Sequence, residues 1–428
     1  MRRCIGMEMD LPLWGARSEE ILGLEALREE LAAFRDFGTG TRVYTREIAG
    51  REIPYFVNEF WTARQRAAQR LHEVSYRACF KPQLPRFFIE RLTRPGELVY
   101  DPFLGRGTTL IEAALLDRSL AGCDMNPLAA ILCAPRLDPP RLAEVERRLQ
   151  SIPKRPRGEA REDLLAFYHP ETLAEICALQ EYLVERERDG AADRIDRWIR
   201  MVATNRLTGH SRGFFSVYTM PPNQAVSIEK QRQINEKRGQ TPPRRLVDVV
   251  IRGKTRSLLN GLTSEQVERL RRWSKKAVLA TRSAEATPEI SSDSVALAVT
   301  SPPFLNVVNY RRDNWLRCWF NGIDPEAVGI WHFGNPEQWK AAMAKVLGEL
   351  RRVLRPGGVA AFEVGEVRKG SLLLEDLAIP AGLTAGLNPE LVLVNAQEFT
   401  KTSNCWGVDN LSKGTNTNRV VLFRKRAD

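Results

Sequence analysis

A chain of 428 residues is long enough for two domains, or for one large α/β domain with a substantial insertion. Its hydrophobic fraction of 43% and charged fraction of 27% are those of an ordinary globular protein, and its net charge of +11 favours a polyanionic partner. No apolar run approaches the roughly 18 residues of a membrane span. The seven cysteines and four histidines lack metal-ligand spacing, so we expect a cytoplasmic protein with reduced thiols and no metal site.

Helical periodicity predicts an N-terminal helical region over residues 1–79. A first helix is expected over 18–35, where Ser18 supplies a capping hydroxyl, and a second helix is expected over 59–79. A third helix, over 85–92, opens the region that follows.

The period of the pattern changes after this third helix. Residues 97–100 predict a short strand that runs into a glycine-containing loop over 101–109, and a helix over 110–117 follows. A second strand, over 119–123, ends at Asp124. Strand, glycine loop, helix, strand and acid together are typical of the opening of a doubly wound α/β sheet with helices on both faces.

We expect the α/β domain to be assembled from two parts of the chain, residues 80–137 and 277–428. Between them, residues 138–276 have the long charged helices and Pro-Pro turns of a mostly helical insertion. The pattern in the second part predicts a helix over 336–354 and strands over 277–281, 294–300, 359–364, 391–399 and 419–423.

The loop after the first strand has the features of a nucleoside-binding turn. Gly105 and Gly107 allow a tight turn and a close backbone approach to a ligand, at the strand end where open α/β sheets bind ligands. Asp124 lies 17 residues beyond Gly107, a position from which an acid reaches ribose hydroxyls. Leu110 replaces the third glycine of a dinucleotide fingerprint, and no Gly-Lys-Ser/Thr follows. A nucleoside cofactor is therefore favoured over a dinucleotide, over a P-loop ligand and over a purely structural turn.

A second motif, T-S-P-P-F over 300–304, follows the predicted strand over 294–300. Two consecutive prolines fix an extended loop and leave carbonyl acceptors at the strand end. The exocyclic amino group of a nucleobase is a poor nucleophile because its lone pair is delocalised into the ring. Acceptors from Ser301 and from the Pro302 carbonyl suit its two N–H groups, and Phe304 suits stacking on an extruded base. A proline-ended strand that enters a surface loop is the alternative.

Together, D-P-F-L-G-R-G-T-T over 101–109 and S-P-P-F over 301–304 resemble the amino-methyltransferases of DNA, which are the N6-adenine and N4-cytosine enzymes. Residues 80–92 resemble the lysine-proline helix that precedes the glycine loop in that family, and L-R-P-G-G over 354–358 is similar to cofactor-dependent methyltransferases generally. The resemblance implies a Rossmann-like methyltransferase fold, S-adenosylmethionine as the cofactor and site-specific methylation of double-stranded DNA by base flipping.

The serine at the first position of the tetrapeptide implies that the target is the N4 amine of cytosine. N6-adenine methylation, an RNA amino-methyltransferase and a catalytically inactive DNA-binding relative remain alternatives. A protein-glutamine methyltransferase would normally have Asn in place of Ser301. C5-cytosine chemistry is set aside, because its nucleophile usually follows a proline and none of the seven cysteines does.

The resemblance also implies roles for individual residues. The residues expected to bind the cofactor are Lys81, Pro82, Asp101, Pro102, Phe103, Gly105, Gly107, Thr108, Thr109, Asp124, Asn126 and Ser283. The residues expected to be catalytic are Ser301, Pro302, Pro303 and Phe304.

The insertion contains a basic stretch that favours contact with DNA. Residues 223–256 carry nine Lys or Arg against three acids, and the adjoining residues 212–224 add aromatic and amide side chains suited to groove contact. A solvated helix face is the alternative reading of such a charge run. The residues expected to bind DNA are Arg212, Asn223, Gln224, Lys230, Arg232, Arg244, Arg245, Arg311 and Arg312. A cognate restriction endonuclease as a partner, and the oligomeric state, stay open.

Overall fold

The computed structural model describes residues 23–62, 68–77, 79–158, 161–220, 225–305, 310–329, 331–367, 372–396 and 417–427. The strands are β1 Arg42–Ile48, β2 Arg51–Asn58, β3 Leu98–Asp101, β4 Ser119–Asp124, β5 Val278–Thr281, β6 Val295–Thr300, β7 Leu354–Val364, β8 Glu366–Val367, β9 Leu372–Leu373, β10 Asn388–Ala396 and β11 Thr417–Arg424. The helices are α1 Leu24–Ala33, α2 Gln83–Leu92, α3 Thr108–Leu115, α4 Leu128–Leu137, α5 Leu142–Ser151, α6 Pro170–Arg188, α7 Arg194–Thr204, α8 Ile228–Arg238, α9 Val247–Leu259, α10 Ser264–Ser274, α11 Tyr310–Asn321, α12 Pro336–Val353 and α13 Glu375–Thr384.

A nine-stranded sheet has the order β1-β2-β10-β11-β7-β6-β3-β4-β5. The five neighbouring strands β7, β6, β3, β4 and β5 are parallel to one another. Strand β11 runs antiparallel to both β7 and β10. From β3 the chain crosses to β4 and β5 on one side and to β6 and β7 on the other. A topological switch point therefore lies between β3 and β6, which is where sheets of this kind bind ligands.

The two faces of the sheet bury separate hydrophobic clusters, so the central strands read as continuous apolar runs. Every residue of β6, V-A-L-A-V-T, is buried. One face packs against α12 and α13, and the other packs against α2, α3, α4 and the helices of the insertion. The expectation of a Rossmann-like α/β sheet with helices on both faces is confirmed.

The helical insertion packs directly onto the α/β core. Helix α7 contacts α4, and α10 contacts α3 and α4. Trp198, on α7, is fully buried in the same cluster as Val99 of β3. The insertion is mostly helical as expected, and its boundaries at residues 138 and 276 stay a prediction. Among the residues that the structure describes, no helix has the length and apolar composition needed to cross a membrane.

The expected N-terminal helical region is wrong in its second half, because it contains a β-hairpin. Strands β1 and β2 pair antiparallel, and β2 joins the large sheet beside β10. Ala49 and Gly50 form the two-residue turn with φ of 51° and 71°, as a type I′ hairpin requires. The helix expected over 59–79 is also wrong, since its described residues contain only the 3-10 turn Arg70–His72.

Candidate active site

A crevice opens at the carboxyl ends of β3, β4 and β6, beside the switch point. It encloses about 730 Å³ of space between atoms, a volume that includes open solvent at its mouth. Its lining residues are Tyr76, Cys79, Phe80, Asp101, Phe103, Leu104, Gly105, Thr108, Asp124, Met125, Asn126, Ser301, Pro303 and Trp331.

The glycine loop is shaped by two residues in the left-handed backbone region. Gly105 has φ of +51° and Gly107 has φ of +75°, which are backbone conformations that residues with a side chain rarely adopt. A Cβ atom on Gly107 would lie 2.3 Å from the Cys133 sulfur, so helix α3 can begin there only because this residue has no side chain. Gly107 therefore shapes the crevice from behind and does not line it.

Asp124 ends β4 and holds the loop in place. One carboxylate oxygen accepts a hydrogen bond from the Gly105 amide at 2.8 Å, and the other accepts one from the Asn126 amide at 2.8 Å. Each carboxylate oxygen has a second lone pair, so Asp124 can still accept hydrogen bonds from ligand hydroxyls. Burial raises the pKa of Asp124 to about 6, against the lowering effect of these two backbone hydrogen bonds.

Asp101 ends β3 and joins it to β6. Its Oδ1 atom accepts hydrogen bonds from the Thr300 hydroxyl at 2.7 Å and from the Phe103 amide at 3.1 Å. Burial raises the pKa of Asp101 to about 6, and the nearby charge of Asp124 adds to this. A buried acid and a partly exposed acid with raised pKa values at one strand-end crevice are a pair of the kind that marks functional sites.

The tetrapeptide over 301–304 continues from β6 into the crevice. Ser301 and Pro303 line it, and the Pro303 carbonyl accepts a hydrogen bond from the Trp339 indole at 2.8 Å. Pro302 is buried. Phe304 is half-buried and packs against the hydrophobic cluster of the α12 face, outside the lining of the crevice. The hydrogen bond from Trp339 on α12 and the two prolines together fix the backbone of this loop.

Glu363 is a site residue that the sequence reasoning missed. Thr300 of β6 pairs with Phe362 of β7, so Glu363 lies beside Ser301. The Ser301 side chain is close enough to the Glu363 carboxyl to lower its pKa, and this carboxyl accepts a hydrogen bond from Asn418 Nδ2 at 2.9 Å. Burial raises the pKa of Glu363 to about 7. A lone acid within the apolar strand sequence A-A-F-E-V was the available signal.

Six lining residues were not expected from the sequence: Tyr76, Cys79, Phe80, Leu104, Met125 and Trp331. Met125 follows Asp124 directly, and the Tyr76 hydroxyl accepts a hydrogen bond from Asn126 Nδ2 at 3.2 Å. The Trp331 ring packs edge-on against Phe103, with centroids 6.0 Å apart. Tyr76 and Trp331 come from segments distant in sequence, and only the fold brings them to the crevice.

Half of the residues predicted to bind the cofactor lie outside the crevice lining. Lys81 and Pro82 stand at the start of α2, where their neighbours Cys79 and Phe80 line the crevice instead. Burial lowers the pKa of Lys81. Pro102, Gly107 and Thr109 are buried beside the lining residues, and the Thr109 hydroxyl donates to the Val299 carbonyl at 3.1 Å. Ser283 caps a turn after β5 by accepting from the Glu285 amide at 3.3 Å.

The residues predicted to bind DNA are divided between exposed and internally paired side chains. Arg212, Lys230, Arg232 and Arg312 are exposed, and Arg311 forms an exposed ion pair with Glu326 at 2.7 Å. Asn223 and Gln224 lie outside the described residues.

The Arg244 side chain is oriented toward the protein, where it forms ion pairs with Glu171 at 3.0 Å and Glu175 at 2.9 Å. These ion pairs favour a structural role for Arg244 in place of the phosphate contact that its sequence suggested. Arg245 is half-buried, and its backbone amide and carbonyl both bond to the Thr172 hydroxyl, so a role for its side chain stays a prediction.

The chain is similar to known DNA methyltransferases in one limited region. An N6/N4 methyltransferase family model described as DNA methylase matches residues 44–131, from β1 to α4. The Type II methyltransferase M1.MboII of Moraxella bovis is 52% identical over 46 residues, which are 10% of this chain and 18% of that protein. The Type II methyltransferase M.MjaII of Methanocaldococcus jannaschii is 32% identical over 62 residues, which are 14% of this chain and 12% of that protein.

The chain thus spans less than one fifth of the length of these curated relatives. The geranyl diphosphate C-methyltransferase of Streptomyces coelicolor A3(2) aligns with 81% of this chain and 76% of its own, at 8% identity and a TM-score of 0.34. The matches of the family model and the relatives support a relationship to the DNA amino-methyltransferases. The family-model match includes the glycine loop and Asp124 and ends before residues 301–304, so it does not distinguish cytosine from adenine.

Proposed function

We propose that this protein transfers a methyl group from S-adenosylmethionine to an exocyclic amine of a base in double-stranded DNA, with the N4 amine of cytosine as the target. The observation that carries the proposal is that Asp124 and Ser301 line one crevice, although they come from separate parts of the chain. A nucleoside site and an amine-acceptor site that share a crevice at the switch point fit a cofactor and a base bound side by side.

The chemistry of the crevice fits S-adenosylmethionine. Asp124 retains lone pairs for ribose hydroxyls, and the buried carboxyl of Asp101 suits the ammonium group of the methionine part. Phe103, Met125 and Trp331 offer apolar surface to an adenine ring. The bound cofactor supplies a methyl group on a positively charged sulfur.

The chain's own contribution is to hold the amine and to accept its proton. The Ser301 hydroxyl lies beside the Glu363 carboxylate and can donate to it, which would leave the lone pairs of its oxygen available to an amine N–H. As the amine nitrogen gains a methyl group it becomes cationic and must release one proton. Ser301 can take that proton while passing its own to Glu363, whose pKa of about 7 suits an acceptor near neutral pH.

Ser301 and Glu363 also support cytosine N4 over adenine N6, together with the resemblance that associates serine with cytosine. A serine hydroxyl is a smaller and weaker acceptor than the Asp or Asn found with adenine, and the buried acid behind it supplies the missing acceptor strength. N6-adenine methylation is the second candidate function, because the matching family model covers N6 and N4 methyltransferases alike.

The insertion is proposed to bind the DNA duplex beside the crevice. Helix α8 has four exposed cations and buries only Gln231. The segment before α8 is attached to α11, the helix that follows the catalytic loop. Ala225 donates its amide to the Asp313 carbonyl at 3.1 Å, and Trp315 donates its indole N–H to the Val226 carbonyl at 3.2 Å. These two hydrogen bonds join the start of α8 to α11, which supports a duplex that contacts both helices.

Nucleoside mass spectrometry tests the proposal. Purified protein is incubated with isotope-labelled S-adenosylmethionine and either duplex DNA or RNA, and the nucleic acid is digested to nucleosides. The expected product is N4-methylcytosine, with no C5-methylcytosine, and Ser301→Ala serves as the matched control. N6-methyladenine in its place would overturn the cytosine assignment and leave amine methylation standing. Labelled RNA with unlabelled DNA, or no labelled nucleoside at all, would overturn the proposal itself.

A further inference from the structure

A buried cationic cluster lies where α7 and α9 meet the 3-10 turn Arg70–His72. Lys254, on α9, has a side chain that is 11% exposed, and Arg206, which follows α7, is 9% exposed. Glu73 lies next to them with 37% of its side chain exposed, and Arg70 is exposed beside it. Among the described residues of this cluster, Glu73 and Arg70 are the more exposed members.

Carboxylates do not balance the cations of this cluster. In the described ranges, Glu73 is the only carboxylate within ion-pair distance of Lys254, at 3.4 Å, and Ser257 shares the same oxygen at 3.4 Å. No carboxylate of these ranges lies within ion-pair distance of Arg206. The Arg206 Nε donates to the Asn205 carbonyl at 2.8 Å, and its guanidinium lies 4.0 Å from the centroid of the Phe214 ring.

The electrostatics of the cluster follow from this imbalance. Burial lowers the pKa of Arg206 to about 10, and the charge of Arg317 lowers it further. Burial also lowers the pKa of Lys254 to about 8, and Arg206 contributes to that shift. Cations that are desolvated together and face a single carboxylate destabilise the free protein. A bound anion with more than one negative oxygen would relieve their repulsion.

We propose that Arg206 and Lys254 form a binding site for one backbone phosphate of DNA, with Glu73 occupying the anion position until DNA binds. The inference rests on the proposed function and adds a specific contact to it. The guanidinium offers a planar pair of N–H groups and the ammonium a point charge, which is the combination that proteins use for phosphates. The half-exposed Glu73 side chain can rotate into solvent as the phosphate enters.

The cluster is joined to the crevice by a single short loop. The Ser75 amide donates to Asn205 Oδ1 at 2.7 Å, and the Ser75 carbonyl accepts from Arg317 at 3.1 Å. The next residue, Tyr76, lines the crevice. A phosphate held by Arg206 and Lys254 would thus lie beside Glu73, three residues before Tyr76 on the loop that leads to the crevice.

Duplex binding, measured by fluorescence anisotropy across a range of salt concentrations, tests the site in the full chain. Lys254→Gln should weaken binding about three- to tenfold and reduce the salt slope by about one unit, the value for one lost phosphate contact. Glu73→Gln should tighten binding, because it removes the carboxylate that competes with phosphate. Lys254→Arg keeps the charge and should preserve the slope. Arg355→Gln, which breaks the ion pair with Glu97 away from the crevice, is the control and should change neither quantity.

A purely structural role for the cluster predicts the opposite pattern. In that case Glu73→Gln and Lys254→Gln both lower the unfolding temperature, and Glu73→Gln leaves duplex affinity unchanged or weaker, which would overturn the inference. If Lys254→Gln does not fold, the sign of the Glu73→Gln effect still decides. A wild-type protein that fails to methylate DNA would refute the proposed function. Normal methylation with an unchanged slope in Lys254→Gln would refute the phosphate site alone.

Discussion

At the scale of single residues, the two acids of the crevice couple the protein's stability to its ligand affinity. Burial raises the pKa values of Asp101 and Asp124 to about 6, above the unfolded value of 3.8. Protonation is therefore easier in the folded chain. The stability gained from these two groups is complete below about pH 4 and is lost as the pH rises through about 6. A ligand that hydrogen-bonds to the charged carboxylates recovers part of that loss, so affinity and stability depend on pH in opposite directions.

The first prediction concerns Asp124. Asp124→Asn should weaken S-adenosylmethionine binding by about 1–3 kcal/mol, the value of hydrogen bonds to a charged group. Wild-type affinity should fall as the pH drops below about 6, because protonation removes acceptor lone pairs, and Asp124→Asn should show a shallower dependence. Calorimetry between pH 5 and pH 8 measures both effects. Asp117→Asn is the control, at the other end of β4. Equal affinity in Asp124→Asn and wild type would remove Asp124 from the site.

At the scale of elements, the loop after β6 combines two functions in four residues. Its prolines and the hydrogen bond from Trp339 fix the backbone, and Ser301 lies beside Glu363 of β7. Phe304 is anchored in the α12 face, so it can contact a base only with the exposed part of its ring. Ser301 and Phe304 therefore have separable roles.

The second prediction uses that separation. Ser301→Ala should lower kcat by about 10²–10³ with cofactor affinity nearly constant, because the lost acceptor acts while the nitrogen becomes tetrahedral. Phe304→Ala should mainly raise the KM for DNA. The rise should correspond to a loss of up to about 1–3 kcal/mol of binding free energy, the value of one base–aromatic stack. Steady-state kinetics with both substrates varied measures the two effects. A Ser301→Ala, Phe304→Ala double variant with full activity would refute the catalytic assignment.

The third prediction concerns helix α8 as an element. Replacing Lys230 and Arg232 with Gln should weaken duplex binding and flatten its salt slope by up to about two units, because both side chains are exposed. Replacing Arg244 with Gln should leave the slope unchanged and lower the unfolding temperature, since its partners Glu171 and Glu175 remain unpaired. The reverse pattern, in which only the Arg244 substitution changes the salt slope, would indicate that Arg244 contacts DNA, as its sequence suggested.

At the scale of the whole molecule, local sequence patterns predicted the central part of the sheet well. The strands β3, β4 and β6 and the helices α3 and α12 lie within one or two residues of their expected positions. Each is a buried apolar run or an amphipathic helix next to a glycine, proline or acid that ends it. The order of these elements predicts the position of the switch point. It therefore also predicts that Asp101, Asp124 and Ser301 lie beside it.

The rest depended on tertiary contacts that local patterns do not contain. Strand β1 is largely exposed, so its sequence R-V-Y-T-R-E-I lacks the apolar content of a central strand. Its turn, I-A-G-R, has alanine at a positive φ where asparagine is the usual signal. Tyr76 and Trp331 reach the crevice, and Glu363 lies beside Ser301, only through the packing of distant segments. Arg244 was assigned to DNA from the basic stretch and the aromatic and amide residues next to it, whereas its partners lie about 70 positions earlier in the chain.

The hydrogen bond between Thr300 and Asp101 has a consequence for how the protein folds. The two residues are 199 positions apart, and the helical insertion lies between them. Joining β6 to β3 closes a loop of that length, and the conformational entropy lost in closing it is regained only when both strands are already present. Contacts of such high sequence separation form slowly. The glycine loop can form early with β3, α3 and β4, while the crevice acquires Ser301 only at the end, once the insertion has condensed and drawn its two ends together.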